Sequence, residues 1–160
     1  MSDEKKRLLD RLSPGVLKWG INLWPPFLGA GIKIKHIAPD FRFIEVRMKL
    51  RWYNKNYVGT HFGGSMYAMT DPFFMLMVMK YLGSDYIVWD KAASIEYKKV
   101  ARGTLSAQFR VTEEELQLIK YHADTNEKYI FDRPIDLTND AGEVVASLVR
   151  TLYVRKKNNL

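Results

Sequence analysis

The segment from Ser65 to Leu82, SMYAMTDPFFMLMVMKYL, is apolar on nearly every side, and after Ser65 its main polar members are Thr70, Asp71 and Lys80. A helix without a polar face has to be buried all round. The flanking segments are one-sided instead. Ile44, Val46, Met48, Leu50 and Trp52 alternate with Glu45, Arg47, Lys49 and Arg51, which describes a strand with one wet face. Leu105, Ala107, Phe109 and Val111 repeat the pattern, and Ile87, Trp89, Lys91, Ala93, Ile95 and Tyr97 are expected to share one face of a further strand. The economical solution is an α+β domain in which an antiparallel sheet wraps around a long central helix over about 64–82. The dimensions agree, since such a helix spans about 27 Å at ~1.5 Å per residue and a nine-residue strand about 30 Å at ~3.3 Å.

The chain has 160 residues, enough for one domain with one core. The reading is a single domain over 1–160, its core about 31–155, with 1–12 and 156–160 expected to be flexible. Ser13-Pro14 starts an N-terminal helix that Pro25-Pro26 should stop after about Leu23. Thr112 and Glu115 form a capping box for a short helix over about 113–122. Thr138-Asn139-Asp140-Ala141-Gly142 turns a final hairpin between Tyr129–Leu137 and Glu143–Val154.

The absence of cysteine excludes disulfides, zinc–thiolate sites, iron–sulfur clusters and cysteine nucleophiles. His36, His61 and His122 have no metal-ligand spacing, so no metal site is expected. The charged start Met1–Arg7 leads into no apolar run, and the most apolar stretch, Phe73–Met79, is too short to span a membrane, so a cytoplasmic protein is expected. The net charge of +7 suits phosphate-bearing partners or simple solubility. No recognition motif accompanies Arg47, Lys49 and Arg51, so nucleic acid is not expected as a partner.

The loop entering the apolar helix, NKNYVGTHFGGS over 54–65, ends in paired glycines. Bare backbone amides at a helix N-terminus favour a developing negative charge, as an oxyanion hole does, whereas a tight strand-to-helix turn would also need glycine. Asp71 has two readings as well. As an N-cap ahead of Pro72 it is structural. Inside a helix kinked by Pro72, its carboxylate must find a partner or line a wet cleft.

Asn56-x-x-Gly59-Thr60-x-x-Gly63-Gly64, with Asp71 eight positions after Gly63, resembles the signature of hotdog-fold acyl-CoA thioesterases of the phenylacetate-pathway type, and the chain is most similar to an uncharacterised thioesterase-like branch. The resemblance covers about Gly31 to Val154. It implies that Asp71 activates water or attacks the thioester, that Gly63 and Gly64 supply the oxyanion amides, and that Asn56 orients water or substrate. Asp90 would line the pocket, and His61 and Phe62 would stand beside the substrate. Phe62 occupies the place where the family usually has histidine before the glycines, and Pro72 is a second departure. Lys98, Lys99 and Arg102 would hold the phosphates of coenzyme A, or form a solvated turn. The implied substrate is an acyl-CoA or acyl-carrier thioester, with no cofactor beyond the coenzyme A of the substrate. The implied assembly is a homodimer or homotetramer with sites at the subunit interface.

Two other functions stay open. His61-Phe62 resembles the histidine-phenylalanine pair of acyl-carrier dehydratases, which implies a hydratase or dehydratase. Five of the seven methionines lie between Met66 and Met79, a composition that also suits a non-catalytic acyl- or lipid-binding protein.

Overall fold

In the computed structural model, which describes residues 12–157, the Ser13 side chain accepts a hydrogen bond from the Val16 amide and caps α1 (Pro14–Asn22). Pro25-Pro26 then begins a second helix, α2 (Pro25–Ala30). The first helix ends at Asn22 with Leu23 as its C-cap, where the proline pair is expected to stop it, and the fixed backbone and missing amides of the prolines suit the first turn of the new helix equally well. Leu17 and Phe27 anchor both helices in the core, which therefore starts before residue 31.

Six strands form one sheet: β1 (Ile32–Ile37), β2 (Phe43–Lys49), β3 (Tyr86–Tyr97), β4 (Thr104–Arg110), β5 (Tyr129–Thr138) and β6 (Val144–Lys156). Their spatial order is β1-β2-β4-β5-β6-β3, and every pairing is antiparallel. The inner face carries Ile34, Val46, Met48, Phe109, Leu148 and Leu152, all sealed from solvent. β2 ends at Lys49, short of the expected strand, and the chain turns so that Trp52 is 83% exposed.

Against this face lie α3 (Gly63–Ala68) and α4 (Phe73–Leu82). The single helix expected over 64–82 is thus interrupted at Met69–Pro72. Proline cannot donate to a helical ladder, and the chain reorganises around it. The Asp71 amide donates to the Ala68 carbonyl, the Thr70 hydroxyl to the Tyr67 carbonyl, and α4 restarts with Leu76 donating to the Pro72 carbonyl. Phe73 and Phe74 of α4 both pack on Phe109 of β4, and Met77, Val78 and Leu82 complete its buried surface. The central element is therefore apolar and enclosed, as its composition requires, but in two pieces.

α5 (Glu113–Thr125) begins at the capping box, with Thr112 and Glu115 bonded reciprocally, and runs slightly beyond its expected end. It bridges β4 and β5, which share only the Ser106–Thr138 pairing. At the C-terminus, Arg155 and Lys156 belong to β6 and pair with Ile87 and Tyr86, and the Lys157 amide donates to the Asp85 carbonyl. The expected flexible tail is thus ordered at least to Lys157. Leu12 is partly buried against the core, while residues 1–11 and 158–160 lie outside the described residues.

β3 departs from its expected alternation. A bulge between Asp90 and Ala92 shifts the register against β6 by one residue. An extra residue moves every following side chain to the opposite face. Ile87 and Trp89 therefore do not share a face with Ala93, Ile95 and Tyr97. The inward row is Tyr86, Val88 and Asp90, then Ala93 opposite Arg150 and Ile95 opposite Leu148. The bulge sets Ala93 opposite Arg150, which lies within reach of both Asp90 and Asp71.

Gly31 closes α2 at φ +75°, and a Cβ there would meet the Asn54 Nδ2 at 2.7 Å. Asn54 ties three segments together, donating to the carbonyls of Ala30 and Lys49 and accepting from the Arg51 amide. Gly31→Ala is expected to cost about 2 kcal/mol, from left-handed strain plus displacement of this bracket, read as a lowered denaturant midpoint with an unchanged slope.

Candidate functional site

The break between α3 and α4 exposes Asp71. Its side chain is 48% accessible, and no side chain caps α4. Oδ2 of Asp71 lies 2.6 Å from Nη2 of Arg150, which is only 2% exposed. The same Nη2 is 3.6 Å from Oδ2 of Asp90, whose side chain is 17% exposed. The Arg150 guanidinium also lies 5.2 Å from the centre of the Tyr67 ring, placing it among an aromatic face and two carboxylates.

These are ion pairs and not aligned hydrogen bonds: Nε and Nη2 of Arg150 and Oδ1 of Asp90 are buried without a hydrogen-bond partner among the described residues. Buried polar atoms are ordinarily satisfied, so this cluster stands apart from the plain apolar core around it. Burial pushes the Asp90 carboxyl above its usual value and the negative Asp71 adds to this, while Arg150 opposes both.

Arg150 was not singled out from the sequence. Its signal was nevertheless present, because Ala146, Leu148, Arg150, Leu152 and Val154 form one face of β6 and only Arg150 in that row is charged. A cation on an apolar face needs an anion opposite it.

The loop ahead of α3 is held by its own side chains. Asn56 Oδ1 accepts from the Val58 and Thr60 amides, and Nδ2 donates to the Thr60 hydroxyl and the His61 carbonyl. Asn56 is thus engaged in shaping the loop. His61 is buried; its amide donates to the Ala101 carbonyl, and Nε2–H donates to the Gly103 carbonyl at 3.0 Å. These bonds fasten the loop to the turn after β3.

Burial depresses the His61 pKa below its ordinary value. The folded state therefore favours the neutral ring. The stability this confers is fully present above about pH 6.5 and is lost as the pH falls through the depressed value. His61→Gln, which keeps a donor without titrating in this range, is expected to remove that part of the acid-side decline in Tm.

Gly63 and Gly64 are the first two residues of α3, ahead of the Ser65 and Met66 amides that donate to the Phe62 carbonyl. A Cβ on Gly63 would sit 2.7 Å from the Tyr97 hydroxyl, and one on Gly64 would sit 2.5 Å from the ring of Phe62, itself exposed. Both glycines therefore permit close packing at the helix start. Tyr97 reaches Gly63 because the bulge turns it inward. Of the basic trio, Lys99 is paired with Glu143 at 2.7 Å, Lys98 lies 3.9 Å from Glu96, and Arg102 stands exposed in the turn that receives His61. The structure gathers Asp71, Asp90, Arg150 and Tyr67 into one cluster. The second group consists of Gly63, Gly64, Phe62 and Tyr97. Asn56 and His61 form the scaffold behind it.

An antiparallel sheet wrapped around an interrupted apolar helix, with a carboxylate exposed at the break, is a hotdog-like α+β protein. The chain belongs to a family described as a domain of unknown function (DUF4442), whose model matches residues 15–154. A search of curated proteins finds no match. Among solved structures, the chain is similar to Pseudomonas aeruginosa PA5026, described as a protein of unknown function and probable thioesterase. The TM-score is 0.82 at 18% identity, covering 91% of this chain and 97% of that one. It is also similar to a Chlorobaculum tepidum protein of unknown function (TM-score 0.72, 16% identity, 91% and 98% covered) and to the Haemophilus influenzae thioesterase HI1161 (TM-score 0.66, 15% identity, 91% and 92% covered). At these identities the likeness shows the fold.

Proposed function

We propose that the protein hydrolyses an acyl thioester, with coenzyme A as the favoured thiol carrier, using Asp71 as general base. The observation that carries this reading is the half-exposed Asp71 carboxylate, held at a helix break by the charge of a buried guanidinium 2.6 Å away. In the proposed reaction, Asp71 takes a proton from water as the water oxygen attacks the thioester carbonyl. Gly63 and Gly64 amides hold the oxyanion, and collapse of the tetrahedral intermediate expels the thiolate. Arg150 keeps the carboxylate oriented.

Asp71 and Gly63 of one chain cannot serve the same carbonyl. The six residues of α3 alone span about 9 Å at ~1.5 Å per residue, Asp71 lies in the break beyond them, and both groups must come within about 3 Å of the reacting atoms. The reading therefore requires two copies, Asp71 from one and Gly63 from the other. β3, twelve residues long and hydrogen-bonded only to β6 within the sheet, supplies an edge at which copies can meet. The β1 edge is covered: Asn22 brackets the backbone of Ile34 and Lys18 Nζ donates to the Lys35 carbonyl.

The dehydratase reading gains no support, because His61 is turned to Gly103 and buried. A panel of acyl-CoA thioesters with free thiol as the readout tests the proposal. Saturable release is expected, and binding of every member without thiol release would reject it.

A further inference from the structure

The outer face of β1 and β2 lies on the opposite side of the sheet from Asp71. Lys33 and Lys35 of β1, Arg47 and Lys49 of β2, and Arg51 just beyond line a shallow groove of about 200 Å³ with Gly31, Tyr53 and Thr104. All five cations are exposed, and Lys33 stands directly opposite Arg47 in the strand pairing. Arg47 is paired with Glu45 at 2.7 Å. No salt bridge within the chain engages Lys33, Lys35, Lys49 or Arg51 among the described residues.

Beside this cationic face lies an apolar one. Val16, Trp19, Leu23, Trp24 and Leu28 of the α1–α2 segment are each about half exposed or more. The two faces adjoin through fixed contacts: Asn22 and Lys18 bind α1 to the β1 backbone, and Tyr53 lines both the cationic groove and a hollow formed with Gly29 and Ala30 of α2. Trp52 stacks edge-on against Tyr53 at the junction.

We propose that this composite surface docks on an anionic lipid bilayer, with the lysines and arginines against the headgroup phosphates and Trp19, Leu23, Trp24 and Leu28 at the headgroup–acyl boundary. Cations flanked by exposed tryptophan, tyrosine and leucine match the layering of that boundary, charged outside and hydrocarbon a few ångströms deeper. A second copy of the chain does not fit, since self-pairing would set unpaired lysines against lysines. Nucleic acid would satisfy the cations and leave Val16, Leu23 and Leu28 in water. The proposal is independent of the thioesterase reading.

The test is sedimentation of the full chain with phosphatidylcholine vesicles and with mixed phosphatidylcholine–phosphatidylglycerol vesicles, across a salt series. Binding is expected only to the phosphatidylglycerol-containing vesicles, weakening as salt rises. Lys33→Ala/Lys49→Ala should reduce partition roughly twenty-five-fold, at about fivefold per basic residue. Trp24→Ser/Leu28→Ser should weaken binding and leave the salt dependence unchanged. Circular dichroism and Tm matching the parent establish that both variants are folded. Equal binding to both vesicles, no binding to either, or a lysine variant that binds like the parent would overturn the proposal. So would retention on an acidic protein or on DNA with no vesicle binding.

Discussion

Asp71→Asn is expected to lower kcat for thioester hydrolysis by about 10²- to 10⁴-fold, the usual contribution of a general base. KM should change little, because the amide preserves shape and still places an oxygen near Arg150, which holds Asp71 by charge from 2.6 Å. The helix break owes its geometry to backbone bonds of Ala68, Tyr67 and Pro72, none of which involves the Asp71 side chain. Circular dichroism of the variant should therefore track the parent, with the denaturation midpoint lowered because the buried Arg150 loses the nearer of its two carboxylates. Loss of fold together with activity would return Asp71 to a structural role, and unchanged turnover would remove it from the chemistry.

The second large effect is on stability. Arg150→Met should destabilise the protein by roughly 3 kcal/mol, the lower end of the range for breaking a buried ion pair, because Asp71 is half exposed and can turn to water. The cost falls on Asp90, which is mostly buried and loses its cation. Adding Asp90→Asn should therefore restore part of the loss, and a double variant no more stable than Arg150→Met would contradict the pairing. A pH dependence follows from the same geometry. The folded state raises the Asp90 pKa, so the stability it confers belongs to the protonated form. That contribution is full below about pH 4 and lost as the pH rises through the elevated value. In urea midpoints measured from pH 4 to 7, Asp90→Asn alone should gain on the parent as the pH rises.

The architecture was legible because it follows from two periodicities: strands alternate every second residue, and an all-round apolar helix must be enclosed. The capping box at Thr112 and Glu115 was legible for a related reason, being a local exchange of hydrogen bonds that needs no distant partner. Features that depend on a single residue acting at a distance were not. Pro72 divides the central helix, and whether a proline kinks or interrupts depends on what satisfies the freed carbonyls, here Asp71 and Thr70. The bulge after Asp90 reverses the faces of β3, and no residue type between 90 and 92 announces it.

The candidate site divides in the same way. Asp71 stood out as a charge in apolar surroundings, whereas its partner lies 79 positions along the chain and meets it only where the helix break packs on β6. Arg150 had the same signature as Asp71, one charge within an apolar row. Reading the two anomalies together would have paired them. Asn56 and His61 carried a family pattern, yet their side chains are consumed by the loop and by the turn at Gly103. Glycine spacing showed where the helix starts, but nothing in it disclosed that Tyr97 would pack against Gly63.

Hydrolysis at Asp71 is tested most directly by a single turnover of an acyl-CoA thioester in ¹⁸O-labelled water, with the protein in excess and both products analysed by mass. The account predicts free thiol in step with a carboxylic acid carrying one ¹⁸O, formed by the parent and suppressed in Asp71→Asn. Recovery of intact thioester, or its conversion to an enoyl thioester without thiol release, would contradict it.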